Sequence, residues 1–459
     1  MTEPAPPAPR AVARAAWVGL ALTGLLLVLS FRLPDLLDIE TLSRRPWPGE
    51  DRVPPLRGYV DVKPWTSPET VRVVVLGVLA WLVLPRLACT VRWPVLLLLT
   101  YVVGLGWLLA LAYVDGSEGI ARVEAAPDEY LQTAQAVTDV PALLDGYIGR
   151  ITYGEPDSWP VHVAGHPPGA LLFFVALVRL GIGSPYGVGL AVTVVAAATA
   201  PGALVALRAL GAEQVARRAA PFLVLTPAAV LMAVSADAVF AAVTTWGLAF
   251  LALAASATAR RGTIGWGLVA GLFLGLGVFM SYGLVLIGPV ALAVLAAVRS
   301  WRPLPWAVGG ALVVTVVFGA FGFWWWEAYG PLTARYQAGL GGLRPQSYWV
   351  WANLGALLVS AGPVVGVGVA CAVPRVRATV RGAVGERRTA VLLSLGAAVS
   401  LLVATLSGMS KSEVERIWLP WVPWLLVSAV LLPERWRRPA LAVQVATAIV
   451  LQQTVFTQW

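Results

Sequence analysis

Cysteine, histidine and lysine are almost missing from this chain of 459 residues. Each occurs twice, at Cys89 and Cys371, His162 and His166, and Lys63 and Lys411. Both cysteines lie at the ends of apolar runs that we place near the cytoplasmic side, where structural disulfides are rare. We therefore expect free thiols without a catalytic role, and acid–base chemistry that depends on few positions.

Charged residues are scarce as well. They make up 12% of the chain against 58% hydrophobic residues, and the mean hydropathy is +0.77, whereas about a quarter of the residues are charged in soluble domains. A membrane span needs about 20 mostly apolar residues, and most of the chain can be divided into such segments. The composition excludes a sizeable soluble domain. It predicts an all-α polytopic membrane protein, a transmembrane helical bundle of about 12 to 14 apolar segments.

The net charge of +9 does not indicate nucleic acid, because the arginines lie in short connectors between apolar runs, as expected of cytoplasmic turns. Arg10 and Arg14 precede the first run, so we expect a multi-pass plasma-membrane protein with a cytoplasmic N-terminus. If every apolar run crossed the membrane, the connectors would alternate between the two sides and Arg208 would lie outside, although arginines are expected in cytoplasmic connectors. One of the runs 167–182 and 219–234 is therefore expected not to cross, and the sequence does not decide between them.

Four parts follow from this pattern: a cytoplasmic tail (1–10), an N-terminal hairpin (11–93), a core (94–300) and C-terminal helices (301–459). The expected outer loops are 32–70, with a short interfacial helix, then 115–167, 325–348 and 407–416. Seven carboxylates in the first of these and nine between residues 113 and 169 make sixteen of the 24 acidic residues. Because a charge at the centre of a membrane helix costs roughly 2.5 to 3.5 kcal/mol, these segments must lie in water or line a wet cavity.

The adjacent carboxylates Asp128 and Glu129 are the first candidate site, just before a short helix expected over 131–140. In a loop that folds against apolar segments, partial burial can raise the pKa of one member and suit it to work as a general base. Tyr130 and Leu131 favour packed structure at this point. The alternative is an ordinary pair of solvated loop acids.

His162 and His166 are four residues apart, a spacing that can ligate a metal from one face of a helix. Pro167 and Pro168 argue against a helix that continues through both, since a residue before proline is pushed to extended geometry. Alternatively, His166 lies at the start of a helix with Pro168 in its first turn, where free backbone amides favour an anion such as phosphate. We therefore assign no metal ligands.

Four charged residues lie within six positions at the start of a later span: Lys411, Glu413, Glu415 and Arg416. They could be compensating charges, with Arg416 pairing Glu413 across a turn. Alternatively, Lys411 or Arg416 binds a phosphate, for which the arginine fork is well suited.

Asp237 is the one acid surrounded by apolar sequence after residue 157. Such an acid is by default a functional or helix-packing residue. Ser235 or Asp237 could instead cap the next helix, and both interpretations stay open.

In their order along the chain these features resemble the C-type glycosyltransferase (GT-C) superfamily, which includes protein mannosyltransferases, the lipid A aminoarabinose transferase and mycobacterial arabinofuranosyltransferases. The likeness covers roughly residues 94 to 300. The features are the acidic pair, His166-Pro167-Pro168, the pattern of Pro227, Ser235, Asp237 and Ala238, the glycine-rich run from Gly271 to Tyr282, and Glu413 to Trp418, which looks like a feature of actinobacterial members.

The resemblance implies that the chain, in the lipid bilayer, moves a sugar from a polyprenyl phosphate to an envelope glycan, glycolipid or protein on the extracytoplasmic face, with inversion. Carried over by position, Glu129 or Asp128 is the base, and His166, with His162 nearby, lies at the donor phosphate. Asp237 and the cluster Lys411, Glu413, Glu415 and Arg416 line the cavity. The resemblance fixes no cofactor, and the need for a divalent cation stays open.

The chain departs from the family pattern in two ways: the hairpin 12–88 precedes the catalytic loop, and no soluble acceptor-binding domain follows the last span. The acceptor is therefore expected to be held by the loops or to be lipid-linked. A transporter or flippase is the alternative from another class, but it should place ionisable residues near the bilayer midplane in two related halves. A polymerase or ligase that uses a diphosphate-lipid donor shares the outer-loop chemistry.

Overall fold

The first third of the chain forms long apolar helices followed by short helices in the acidic loop. In a computed structural model, which describes residues 9–43, 52–154, 156–382 and 384–457, this part contains α1 (Pro9–Leu36), β1 (Gly58–Val60), α2 (Pro68–Thr90) and α3 (Trp93–Ala112). The acidic segment then contains α4 (Glu118–Ala125), α5 (Tyr130–Ala136), α6 (Val140–Asp145) and α7 (Val161–Gly165), with 3-10 turns at Tyr113–Asp115 and Ile148–Arg150.

The remaining helices complete the bundle. They are α8 (Pro168–Arg179), α9 (Pro185–Ala196), α10 (Thr199–Ala209), α11 (Glu213–Val224), α12 (Ala229–Met232), α13 (Ala236–Ser256), α14 (Arg260–Met280), α15 (Gly288–Val298), α16 (Leu304–Ala320), α17 (Trp325–Ala338), α18 (Leu340–Leu343), α19 (Gln346–Ser360), α20 (Val364–Ala372), α21 (Val376–Arg381), α22 (Glu386–Leu406), α23 (Val414–Ile417), α24 (Val422–Leu426) and α25 (Glu434–Thr454), then β2 (Val455–Thr457). Further 3-10 turns lie at Tyr282–Ile287, Val373–Arg375, Leu419–Trp421 and Val427–Leu431.

The all-α polytopic architecture predicted from the sequence is confirmed. Among the described residues, eight helices are long and apolar enough to cross a membrane, or up to ten if two bent helix pairs each count as one span. The other four predicted apolar segments do not form helices that are long and apolar enough to cross a membrane, and each has a local reason. Two are short helices, Pro168–Arg179 and Tyr282–Val298. The run 219–234 is split between α11 and α12, and four of the first five residues of α25 are charged.

The loops gather at one end of the bundle, which we call the loop end. There β1 pairs antiparallel with β2, with Tyr59 opposite Phe456, and Lys63 bonds Asp115 at 2.7 Å. The interfacial helix expected within 32–70 is not found in 37–43 or 52–67, where β1 lies instead, and residues 44–51 lie outside the described part. Helices α17 and α18 occupy most of the predicted outer loop 325–348.

Of the two runs considered, 167–182 forms a single short helix. Helix α8 has twelve residues, which at 1.5 Å per residue span only about 18 Å of a hydrocarbon core about 30 Å thick. Gly181 ends it with φ +84°, a left-handed conformation that glycine adopts without strain. Beyond it, Gln135 donates a hydrogen bond to the Gly183 carbonyl at 2.8 Å. The far end of α8 is thus tied to the acidic segment, as expected of a run that does not cross, and the parity of the chain at Arg208 stays a prediction.

Candidate active site

Glu129 enters the protein interior because the residues after it pack into the bundle. It directly precedes α5, and its side chain is 7% exposed. Tyr130 is fully buried and stacks on Phe174 of α8, with ring centroids 4.8 Å apart. Asp128 is exposed to solvent. Of the two carboxylates proposed as the base, only Glu129 therefore faces the site. The expected helix over 131–140 begins one residue earlier and ends at Ala136.

The two histidines lie on either side of a helix break, as the prolines predicted. His162 is inside α7, whereas His166 is extended (φ −129°, ψ 152°) and Pro168 is the first residue of α8. The Nδ1 atom of His162 lies 2.5 Å from Glu129 Oε1. The Nδ1 atom of His166 lies 2.8 Å from both the Tyr130 hydroxyl and the His162 carbonyl. His162 thus contacts the candidate base directly, and His166 is joined to it through Tyr130 and the backbone.

Arg416, from the far end of the chain, lies among three carboxylates. Its Nε atom is 3.2 Å from Asp237 Oδ2, and its terminal nitrogens are 4.0 Å from Glu129 and 3.8 Å from Glu413. The side chains of Arg416 and Asp237 are 4% and 2% exposed. We call Glu129, His162, Asp237, Glu413 and Arg416 the central cluster. The expected pairing of Arg416 with Glu413 across a turn is present, as one contact among several.

The two halves of the Arg416–Asp237 pair each sit in the first turn of a helix. Ser235 caps α13, since its hydroxyl accepts a hydrogen bond from the Asp237 amide at 3.3 Å, which leaves the Asp237 carboxylate for Arg416. Val234 just before that cap has φ +61°, and Ser412 and Glu413 before α23 have φ +68° and +62°. Residues other than glycine in this region cost of order 1 to 3 kcal/mol each and tend to occur at functional sites.

Two arginines that the sequence did not single out complete the cluster around Glu413. Arg57 lies 2.6 Å from one Glu413 oxygen and Arg344 lies 3.3 Å from the other. The backbone amide of Arg57 also donates to Glu415 Oε1 at 2.8 Å. Glu415 is thus buried beside the cluster and tied to the 52–60 segment. Arg57 is one of six cations in the predicted loop 32–70, and no sequence signal separates it from the others.

Lys411 has a different surrounding from the one predicted. Its ammonium donates to the carbonyls of Gly341 and Arg344, each at 3.1 Å, and its amide donates to the Tyr336 hydroxyl. These bonds join the segment 339–344 to the segment before α23. Lys411 therefore holds two segments together next to the central cluster, of which it is not a part.

The two buried glutamates of the loop have opposite pKa shifts. Burial opposes ionisation of Glu129, but His162 and Arg416 outweigh it and lower the pKa of Glu129 below its usual value. Burial raises the pKa of Glu124 well above its usual value, and the charge of Glu129 adds to this. Glu124, 2% exposed, also escaped the sequence analysis. Carboxyl groups with pKa values pushed apart are typical of acid–base sites.

The other titratable groups of the site are also shifted. Burial lowers the pKa of His166 although Asp237 opposes this, so the neutral imidazole is favoured. For Glu413, burial opposes ionisation, but Arg57, Arg344 and Arg416 prevail and hold the pKa of its carboxyl well below the usual range. Glu413 is therefore ionised at neutral pH and Arg416 lies next to fixed negative charge.

A small apolar groove lies between α3, α10, the α11–α12 segment and α24. It is lined by small and apolar residues, among them Gly104, Ala197, Met232 and Leu426. Helix α12, which forms part of its wall, also contacts α23, the helix of Arg416. In the described part of the chain, no group of three or more histidine, cysteine, aspartate or glutamate side chains is arranged to hold a metal ion.

A scan against protein-family models and searches of curated proteins and of solved structures found no match to this chain. The functional argument therefore depends on the residues and geometry described above.

Proposed function

We propose that this chain is an integral membrane glycosyltransferase that moves a sugar from a polyprenyl phosphate to a hydroxyl group of a cell-envelope acceptor, with inversion at the anomeric carbon. The observation that carries the proposal is the central cluster. Residues from three GT-C-like motifs that lie far apart in sequence meet, together with His162, around one buried arginine at the loop end of an apolar bundle: Glu129, Asp237, Glu413 and Arg416.

Glu129 is the general base of the proposed reaction. Its carboxylate takes the proton of the acceptor hydroxyl while the acceptor oxygen forms a bond to the anomeric carbon of the donor. The bond between that carbon and the phosphate oxygen breaks, and polyprenyl phosphate leaves with the electron pair. His162, 2.5 Å from the carboxylate, orients Glu129 and favours its ionised form. A single displacement from the opposite face inverts the configuration.

Arg416 is the donor-phosphate ligand of the proposal. A guanidinium binds phosphate oxygens through two parallel hydrogen bonds, and Arg416 presently contacts carboxylates that a phosphate could replace. Its Nη contact to Glu129 is long, at 4.0 Å, so this is the contact that a phosphate would displace most easily. Asp237 and Glu413 then keep the guanidinium in place.

The apolar groove supports a lipid-linked donor. A polyprenyl chain needs an apolar path that reaches the reacting phosphate, and the groove shares α12 with the wall near Arg416. The proposed orientation follows the arginine distribution, with a cytoplasmic N-terminus and the loop end on the extracytoplasmic side of the plasma membrane.

One observation favours a second candidate, a transporter. Asp237 and Arg416 are buried ionisable residues on helices long enough to span a membrane, and such residues often mark ion or substrate pathways. A polymerase or ligase that takes a diphosphate-linked donor would use the same cluster.

The test uses the purified chain in nanodiscs with a panel of radiolabelled polyprenyl-phosphate sugars and an extracted envelope acceptor. We expect at least one monophosphate donor to be consumed and an inverted glycoside to form. Consumption of diphosphate donors alone would favour the polymerase or ligase. No consumption of any donor by folded protein, together with substrate uptake by proteoliposomes, would replace the transferase with the transporter.

A further inference from the structure

A second, small cavity lies at the loop end and is polar. Five parts of the chain form it: the segment after β1, the end of α3, α4, the segment of α12 to Val234, and the junction of α25 with β2. We call it the polar cleft. Its charged lining residues are Lys63, Asp115 and Arg122, which leaves an excess of one positive charge.

Asp115 already has its hydrogen-bond donors. Lys63 Nζ lies 2.7 Å from one carboxylate oxygen and 2.9 Å from the other, and Gln452 donates to the carboxylate at 3.2 Å. The nearest nitrogen of Arg122 is 3.9 Å away, beyond hydrogen-bond distance. The ion pair of Lys63 with Asp115 is therefore complete without Arg122.

Arg122 is the surplus cation of the cleft. Its guanidinium carbon lies over the Phe456 ring, 4.4 Å from the ring centroid, and its side chain is 37% exposed. Its Nε atom is buried without a hydrogen-bond partner, and a buried donor left unsatisfied costs about 1 to 3 kcal/mol. The carboxylate that lines the cleft, Asp115, already accepts from Lys63 and Gln452 and lies 3.9 Å from the nearest Arg122 nitrogen, so an added anion would satisfy Arg122. Val230, Val234 and Val455 supply apolar walls for the carbon skeleton of a ligand.

One short segment, from Val230 to Asp237, contributes residues to both the polar cleft and the central cluster. Val230, Ala233 and Val234 line the cleft, and Asp237 follows them at the start of α13. A ligand in the cleft therefore lies next to the segment that carries a residue of the central cluster.

We propose that the polar cleft is a second substrate site that binds an anionic group, a carboxylate or a phosphate, of the sugar acceptor, with Arg122 as its main ligand. That the bound molecule is the acceptor rests on the proposed transferase function. That the cleft binds an anion does not, and it is tested without a donor.

The test uses a cysteine reporter inside the cleft. In a Cys89→Ser background, which removes the exposed native thiol, Val455→Cys is reacted with N-ethylmaleimide, a neutral reagent. The protein is the full chain in phosphatidylcholine nanodiscs. The probes are glucuronate, inorganic phosphate and, as the uncharged control, glucose. We expect glucuronate and phosphate to slow the reaction at least fivefold and glucose to leave it unchanged.

Arg122→Gln should remove this protection and Arg122→Lys should retain part of it, because a lysine keeps the charge but not the planar fork. Arg72→Gln is the matched control: Arg72 lies at the start of α2, 68% exposed, and pairs only with local groups. Equal protection in Arg122→Gln and the parent, equal protection by glucose, or no protection by either anion would overturn the proposal. If Val455→Cys fails to fold, Val230→Cys, which also lines the cleft, is the reporter.

The source of the anion is distinguished by adding phosphatidylglycerol to the nanodiscs. Protection by glucuronate in phosphatidylcholine alone indicates an acidic sugar, whereas protection by phosphatidylglycerol without added probe indicates a lipid headgroup. Either outcome supports an anion site. Glu129→Gln should leave protection intact. Protection without sugar transfer would therefore refute the transferase alone, and transfer without protection would refute the cleft proposal alone.

Discussion

The Arg416–Asp237 ion pair joins two helices that are distant in sequence. Removing either charge should show how much the pair contributes to the free energy of unfolding. Asp237 Oδ2 and Arg416 Nε are 3.2 Å apart and both side chains are almost fully buried. At an effective dielectric constant of 20, two unit charges at this distance attract by about 5 kcal/mol. Keeping a carboxylate out of water costs several kcal/mol, and Asp237 also repels its neighbouring carboxylates.

We therefore expect Asp237→Asn to lower the free energy of unfolding by about 2 to 3 kcal/mol, since Arg416 keeps two other carboxylates. Arg416→Gln should cost more, about 3 to 5 kcal/mol, because it leaves Glu129, Asp237 and Glu413 without their shared cation. The double variant should cost about 2 kcal/mol less than the sum of the single ones, because the second change removes a group that is already unpaired.

The assay is reversible unfolding of the four proteins in mixed detergent and dodecyl sulfate micelles, followed by circular dichroism. Costs of the two single changes that add within about 0.5 kcal/mol would refute the reasoning, since independent sites behave in that way. A stabilised Asp237→Asn would show instead that the desolvation of the carboxylate exceeds its attraction to Arg416.

Three further changes test other parts of the account. Glu129 is an ionised base above its lowered pKa and becomes protonated as the pH falls through that pKa. His162→Gln removes the partner that lowers the pKa of Glu129, so it should move the acid limb of the kcat–pH profile to higher pH. An unmoved limb would contradict the role of His162. The ammonium of Lys411 binds backbone carbonyls, so Lys411→Met should cost about 1 to 3 kcal/mol of stability and leave the KM for the donor unchanged. A raised KM would show that Lys411 contacts the donor. Gly169→Ala should cost about 1 to 3 kcal/mol, since a Cβ there would lie 2.4 Å from a carbonyl oxygen of α14. Gly165→Ala, which meets nothing within 4 Å, is its control, and equal unfolding midpoints would refute the packing argument.

Features with a local cause could be predicted from the sequence. The apolar runs indicated the helical bundle. Pro167 and Pro168 predicted the break between the two histidines, because proline restricts the residue before it. Asp237 stood out because an acid in an apolar segment needs a partner. Each of these inferences used only the chemistry of neighbouring residues.

Features that depend on distant contacts could not be predicted. Arg57 lies 358 residues before Glu415, to which its amide donates, and no periodicity connects the two positions. The pairing of β1 with β2 joins residues near opposite ends of the described chain. Helix α8 comes from an apolar run like those of the spans, and its length of twelve residues and the hydrogen bond from Gln135 to the Gly183 carbonyl are seen only in the structure. Lysine is so rare in this chain that Lys411 suggested a site, but the rarity of a residue type does not predict what its side chain contacts.

The most direct test of the central claim compares Glu129→Gln with Asp128→Asn in the donor-consumption assay. The two changes neutralise adjacent carboxylates, of which one faces His162 and Arg416 and the other faces solvent. The account predicts that Glu129→Gln stops sugar transfer while the protein stays folded and Asp128→Asn retains nearly full activity. Full activity of Glu129→Gln, or loss of activity in Asp128→Asn alone, would contradict it.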